Sequence, residues 1–182
     1  DKMNYLYSYK TPAGFDDMLL SSDGEFLTAL CFEHSRDVRK IKTGETKKLP
    51  VFEETVRWLD QYFSGKQPDF MPKFRINATP FRARVVESML KIPYGKTVTY
   101  GDIAAEIAKE RGLARLSAQA VGGAVGFNPI CIIVPCHRVV GANGSLTGYG
   151  GGIRNKAALL ELEGCDMTAF TVPKMGTALS FE

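Results

Sequence analysis

The stretch Ile132-Ile133-Val134-Pro135-Cys136-His137-Arg138-Val139-Val140 decides how this chain is read. A short β-branched run stops at a proline, and a cysteine and a histidine follow side by side. Such a run, from residue 130 to 134, predicts a buried strand, because proline cannot continue a ladder. Cys136 is then expected half-buried, where that strand leaves the core. A thiol reacts as its thiolate, and an adjacent imidazole or cation brings the thiolate within reach near neutral pH. Taken alone, a Cys-His pair is more often a small buried hydrophobe beside an unrelated histidine. The surroundings decide between the two.

Upstream, Asn128-Pro129 breaks the chain before the apolar run. Ser117 is placed to cap a helix over residues 118–125, whose side chains are nearly all small. Gly122 and Gly123 each cost that helix roughly 1 kcal/mol relative to alanine. They serve either close packing against another helix or a thin helix that lies in a nucleic-acid groove. Before it, Thr99 caps a helix over 100–108 with Asp102 in a capping-box position, and a charged turn over 109–116 joins the two. Two short helices joined by a turn have the form of a helix-turn-helix. A further helix is expected over 81–92, with Phe81, Val85, Met89 and Ile92 on one face.

Downstream, Gly141-Ala142-Asn143-Gly144 has the composition of a hairpin-type turn. The glycine-rich run 147–152 lacks the order and lysine of a phosphate loop, and its glycines suit close approach of backbone to a flat ligand. Ile153 to Leu162 is a helix closed by Gly164. The end, 165–182, carries no strong pattern.

The first half reads as a small α/β unit. Strands are expected at 4–9 and 25–32, with the apolar run Met18-Leu19-Leu20 and then a Ser22-Asp23-Gly24 hairpin turn before the second, followed by a charged loop over 33–48. A helix spans Pro50 to Phe63, and residues 66–80, with three prolines, form an extended connector.

Length and composition frame these elements. The chain has 182 residues, 45% of them hydrophobic, enough for one large or two small domains. No run approaches the roughly 18–20 apolar residues of a membrane helix. The opening residues lack the pattern of a signal peptide. Four cysteines without Cys-x-x-Cys spacing predict reduced thiols and a cytoplasmic protein. The net charge of +3 lies wholly within residues 79–170, the part carrying Cys136, which hints at an anionic partner. Cys31 and His34 pair a thiol with an imidazole, but His137 is the only other histidine, so no metal site is expected.

Pro135-Cys136-His137-Arg138-Val139, the upstream Ala120-Val121-Gly122-Gly123-Ala124 and Asn128-Pro129, the downstream Gly148-Tyr149 and Lys156, and the closing Leu159-Leu160-x-x-Glu163-Gly164 together resemble one family. It is the O6-alkylguanine-DNA alkyltransferases, also called methylated-DNA–protein-cysteine methyltransferases. The resemblance spans roughly residues 79–165, with order and spacing kept.

It implies an α/β fold in two parts: a ribonuclease H-like domain over 1–78, then a mainly helical, winged helix-turn-helix-like catalytic domain over 79–182. It implies that Cys136 accepts an alkyl group from O6 of guanine, and by extension from O4 of thymine, once per molecule. His137 resembles the base that takes the thiol proton through a water, and Glu163 the carboxylate that orients it. Tyr100 resembles the proton donor to the departing guanine, and Asn128 the brace of the turn near the thiol. Val134, Tyr149 and Gly150 fall where relatives line the base pocket. Ser117, Ala118, Gln119 and Gly122 fall on the helix that meets DNA.

The implied partner is double-stranded DNA containing O6-alkylguanine, bound by a monomer without cofactor or membrane. The target base is flipped out of the stack to reach a buried thiol. Two positions depart from the pattern. Gln119 stands where the family usually carries an arginine that fills the hole left by the flipped base, and Gly150 where many relatives carry serine. Two other classes compete: a damage sensor that flips bases without accepting alkyl groups, which the presence of Cys136 disfavours, and a Cys-His hydrolase. In a strand, adjacent Cys and His side chains point apart, which suits a water relay better than direct transfer.

Overall fold

The structure is a computed structural model and describes residues 3–173. Its first part is a four-stranded sheet with one helix against it. β1 (Tyr5–Tyr9), β2 (Met18–Ser22) and β3 (Leu27–Phe32) are antiparallel neighbours. The short β4 (Glu45–Thr46) adds in parallel to β1, giving the order β3-β2-β1-β4. The Asp23-Gly24 turn joins β2 to β3, with Asp23 Oδ1 accepting from the amides of Glu25 and Phe26. The charged segment expected as a loop over 33–48 holds a 3-10 turn at Arg36–Lys40 and β4.

Proline is tolerated in the first helical turn, and Pro50 opens α1 (Pro50–Phe63) there. Its buried stripe runs Val51, Phe52, Thr55, Trp58, Leu59 and Tyr62, and seals one face of the sheet. Gly65, with φ of 97°, ends it. The proline-bearing connector then runs extended, touching β3 through a single bridge between Leu27 and Phe74.

The second part begins with α2 (Pro80–Leu90), capped by Thr79, which starts one residue earlier and ends two earlier than the apolar spacing predicts. β5 (Val98–Thr99) leads into α3 (Tyr100–Glu110). Both arms of the capping box form: Thr99 Oγ1 accepts from Asp102 N, and Asp102 Oδ2 accepts from Thr99 N, each at 2.9 Å. α4 (Ala118–Phe127) is capped by Ser117 Oγ, which accepts from Ala120 N at 3.0 Å. α3 and α4 pack against each other across the intervening turn, and α2 packs on α4. One continuous core runs through both parts, from Met18 and Trp58 to Val121 and Leu159. Among the described residues, no helix is long and apolar enough to cross a membrane.

One expectation needs correction. Residues 130–134 are not a strand. Only Ile130 makes a bridge, to Leu30, and the chain then turns, with Ile132 at φ of 70°. The cause is Asn128. Its Nδ2 donates to the carbonyls of Ile130 (3.3 Å) and Val134 (2.9 Å), and its Oδ1 accepts from Ile130 N (3.0 Å). These bonds, with Val134 N donating to Ile130 O, replace a ladder by a compact loop. A β-branched residue in the left-handed region costs about 1–3 kcal/mol, which this brace and complete burial offset. The turn at 141–144 closes tightly, with Gly141 N donating to Ser145 O at 2.8 Å and Asn143 at φ of 59°, although no strand ladder continues from it. β6 (Val139–Val140) pairs in parallel with β5, bringing the Cys136 segment under the start of α3.

Candidate active site

Cys136, His137 and Arg138 form a single 3-10 turn between the Asn128-braced loop and β6. All three are buried; Cys136 is 6% exposed rather than half-buried, and His137 is fully covered. α5 (Ile153–Leu162) ends beside them, and Glu163 is its C-cap.

Glu163 is the hub. Oε2 lies 2.6 Å from His137 Nε2, accepts from Tyr62 Oη at 2.6 Å, and accepts from Arg138 Nη2 at 3.1 Å. Oε1 accepts from Arg138 Nε and Gly95 N, each at 2.9 Å. Burial alone would raise this carboxyl, but the His137 and Arg138 contacts outweigh it and bring it down to about 2. A carboxylate only accepts, so Nε2 of His137 carries the proton and donates. Nδ1 is left as the acceptor, and it is buried without a hydrogen-bond partner among the described residues. Burial holds the imidazole below its ordinary value despite Glu163, so it is neutral and basic near pH 7.

Cys136 is held below the ordinary thiol value. The largest cause is a hydrogen bond from the neighbouring Cys131 thiol; Asn128 and the Lys156 ammonium act in the same direction, against burial and the Asp37 carboxylate. Cys131 moves the opposite way, well above an ordinary thiol. Its sulfur faces Asp37 Oδ2 at a long 3.8 Å. The two shifts run in opposite directions, and both favour the thiolate at Cys136 over Cys131. Lys156 is fully buried, donates to Val139 O (2.6 Å) and Thr147 O (3.3 Å), and is pushed down to about 8 by loss of solvent. Tyr100 Oη donates to Thr147 O at 3.1 Å, and burial raises it to about 12, so the phenol keeps its proton at neutral pH.

Above the thiol, a small cavity of about 10 Å³ is bordered by Tyr100, Asn128, Cys136, Tyr149, Gly150 and Asp37. Val134 is not on its wall; that residue is buried and its carbonyl is taken by Asn128. Tyr149 Oη is buried without a partner among the described residues. Outside, a groove of about 650 Å³ runs along α4, bordered by Tyr100, Ala118, Gln119, Gly122, Thr147 and Gly148. The helix is thin because nothing packs there: a Cβ on Gly123 would meet no atom within 4 Å, and one on Gly122 only the edge of Tyr100 at 3.9 Å. The close-packing explanation for these glycines is thereby excluded. Ser117 caps the helix, and Ala118 and Gln119 stand exposed on its first turn.

Sequence reasoning did not find Tyr62, Gly95 or Asp37. Each comes from a segment distant in the chain, and nothing local marks them. Among the described residues, no three His, Cys, Asp or Glu side chains converge on a metal-sized site.

The architecture is that of a small sheet domain joined to a helical domain carrying one activated thiol. Two family models match it: "6-O-methylguanine DNA methyltransferase, ribonuclease-like domain" over residues 4–76, and "6-O-methylguanine DNA methyltransferase, DNA binding domain" over 80–165. The chain belongs to the 6-O-methylguanine DNA methyltransferase family. It is 50% identical over 151 residues to a methylated-DNA–protein-cysteine methyltransferase of Mycobacterium bovis, covering 80% of this chain and 85% of that one. A Haemophilus influenzae protein of the same name is 36% identical over 162 residues, covering 88% of both. Among solved structures, Mycobacterium tuberculosis OGT in complex with DNA superposes with a TM-score of 0.74 at 42% identity, covering 87% of this chain and 92% of that one.

Proposed function

We propose that this protein repairs DNA by moving the alkyl group from O6 of guanine to Sγ of Cys136, once per molecule. The observation that carries the reading is the buried Cys136 thiol beside a His137–Glu163 pair whose free imidazole nitrogen is an unengaged base. In this reaction the thiol proton passes through a water to His137 Nδ1, and Glu163 stabilises the resulting imidazolium. The sulfur lone pair forms the S–C bond as the C–O6 bond breaks, its electrons staying on the guanine. Tyr100, the only phenol on the cavity wall that also reaches the outer groove, supplies a proton to the departing base. The product is a thioether, which undergoes no thiol exchange, so the site is used once.

The partner in this reading is double-stranded DNA carrying O6-alkylguanine, with α4 against the duplex. O6 lies in the major groove of stacked DNA, away from a buried sulfur, so the base flips at a cost of a few kcal/mol. The 10 Å³ cavity is far smaller than a purine, so the segment Gly148–Gly150 shifts when the base enters. Gln119, exposed at the head of α4, fills the space left in the stack, with less charge than the arginine common in the family. The protein works as a monomer, without metal or organic cofactor, and in two parts, residues 1–78 and 79–182.

Incubation with duplex containing O6-methylguanine, followed by intact mass measurement, tests this. A gain of one methyl is expected. Tight binding without a mass change would instead make the protein a sensor, and thiol-dependent peptide turnover would make it a hydrolase.

A further inference from the structure

The cavity over Cys136 has one wall that the catalytic relay does not use. Asp37 comes from the 3-10 turn after β3, in the sheet domain, and reaches into the second domain beside the reactive thiol. It is 8% exposed. Oδ1 pairs with Lys40 Nζ at 3.2 Å, and the same ammonium donates to Gly126 O at 3.0 Å, at the end of α4. Lys40 thus pins the turn across the domain junction. Oδ2 faces the Cys131 thiol.

The carboxylate occupies the space where a side chain at position 150 would stand. A Cβ built on Gly150 would overlap Asp37 Oδ1 and come within 2.8 Å of Oδ2. The missing side chain at 150 and the carboxylate at 37 are therefore one feature: the glycine makes room, and Asp37 fills it. Any group carried on the guanine O6 toward Cys136 enters a cavity bordered by the Asp37 carboxylate, whose charge the half-exposed Lys40 offsets only in part.

We propose that Asp37 is a specificity-determining residue of the alkyl pocket, selecting compact, uncharged O6 substituents and rejecting those that end in a carboxylate. This rests on the alkyl-transfer reading above. Two like charges held a few ångströms apart away from bulk water repel strongly enough to separate the two substrates by on the order of 100-fold in rate. Asp37 also opposes ionisation of Cys136, but that effect acts on every substrate alike and does not alter their ratio.

The test is single-turnover transfer, read by intact mass, from duplexes carrying O6-methylguanine or O6-carboxymethylguanine. The wild-type protein, Asp37→Asn, Asp37→Glu and Gly150→Ala are compared, with melting midpoints measured alongside. The wild type should prefer the methyl substrate by about 100-fold. Asp37→Asn should lower that preference at least about tenfold, Asp37→Glu should keep it, and Gly150→Ala, which displaces the carboxylate, should lower it too. A purely structural role for the Lys40 pair would slow both substrates equally. If the wild type methylates Cys136 but shows no preference, or if the ratio is the same in Asp37→Asn, the inference is overturned while the transfer reading stands. If no methyl reaches Cys136 at all, the transfer reading itself falls.

Discussion

Replacing Glu163 by glutamine is the most informative single change, because one carboxylate serves stability and chemistry together. Five donors from four residues converge on it, and its side chain is fully covered. Holding this carboxyl at about 2 instead of 4.5 corresponds to about 3 kcal/mol of native-state stability. The sign follows from the direction: a depressed acid stabilises the fold above its unfolded value and loses that contribution as pH falls from 4.5 toward 2. Glutamine keeps the shape but offers one acceptor oxygen, turns an NH₂ toward groups that are themselves donors, and strands the buried Arg138 guanidinium. Removing one partner of a buried ion pair costs about 3–5 kcal/mol, and that is the destabilisation expected at pH 7 in urea unfolding. Among molecules still folded, His137 loses its orienting acceptor, so methyl transfer should slow by about 100-fold or more. A destabilisation under about 1 kcal/mol, the scale of an exposed ion pair, together with an unchanged single-turnover rate, would refute this account of the relay.

Asn128→Ala removes three hydrogen bonds from the loop that holds Ile132 in the left-handed region, and should destabilise the protein by about 3 kcal/mol in urea melts. Tyr100→Phe should leave the melting midpoint nearly unchanged but cut single-turnover transfer about 10–100-fold, since its hydroxyl makes one bond to Thr147 O. Gln119→Arg should tighten binding to damaged duplex and steepen its salt dependence by about one counterion; equal affinity and slope would show that this side chain does not enter the DNA. Transfer rate should fall as pH drops and His137 Nδ1 takes up a proton, with an apparent midpoint below 6.5 because burial lowers the imidazole; a midpoint at or above 6.5 that His137→Gln removes would contradict this neutral, buried state of the base.

What sequence reading resolved, and what it did not, follows the range of the interactions. The helices at 50–63 and 153–162, the Thr99–Asp102 capping box and the Asp23-Gly24 turn rest on contacts within a few residues, so their signals are local. The run 130–134 misled because β-branched residues before a proline look like a strand. The deciding term, three bonds from one Asn128 side chain, outweighs propensity and has no periodic trace. At the site, Cys136, His137 and Glu163 were legible through their motif. Tyr62, Gly95 and Asp37 were not, because α1, the segment before β5 and the turn after β3 reach the site only through tertiary packing. Gly150 was visible as a departure from the family pattern. Only the structure shows that its missing side chain is matched by a carboxylate 113 positions earlier in the chain.

The most direct measurement maps the adduct. Cys131 is a second buried thiol whose electrostatics are tied to those of Cys136, so intact mass alone does not say which sulfur reacted. Peptide mass spectrometry after reaction with excess O6-methylguanine duplex should find one methyl thioether, at Cys136, and unmodified Cys31, Cys131 and Cys165. A methyl group on any of those three in place of Cys136, or Cys136 still bearing a free thiol, would contradict the central claim.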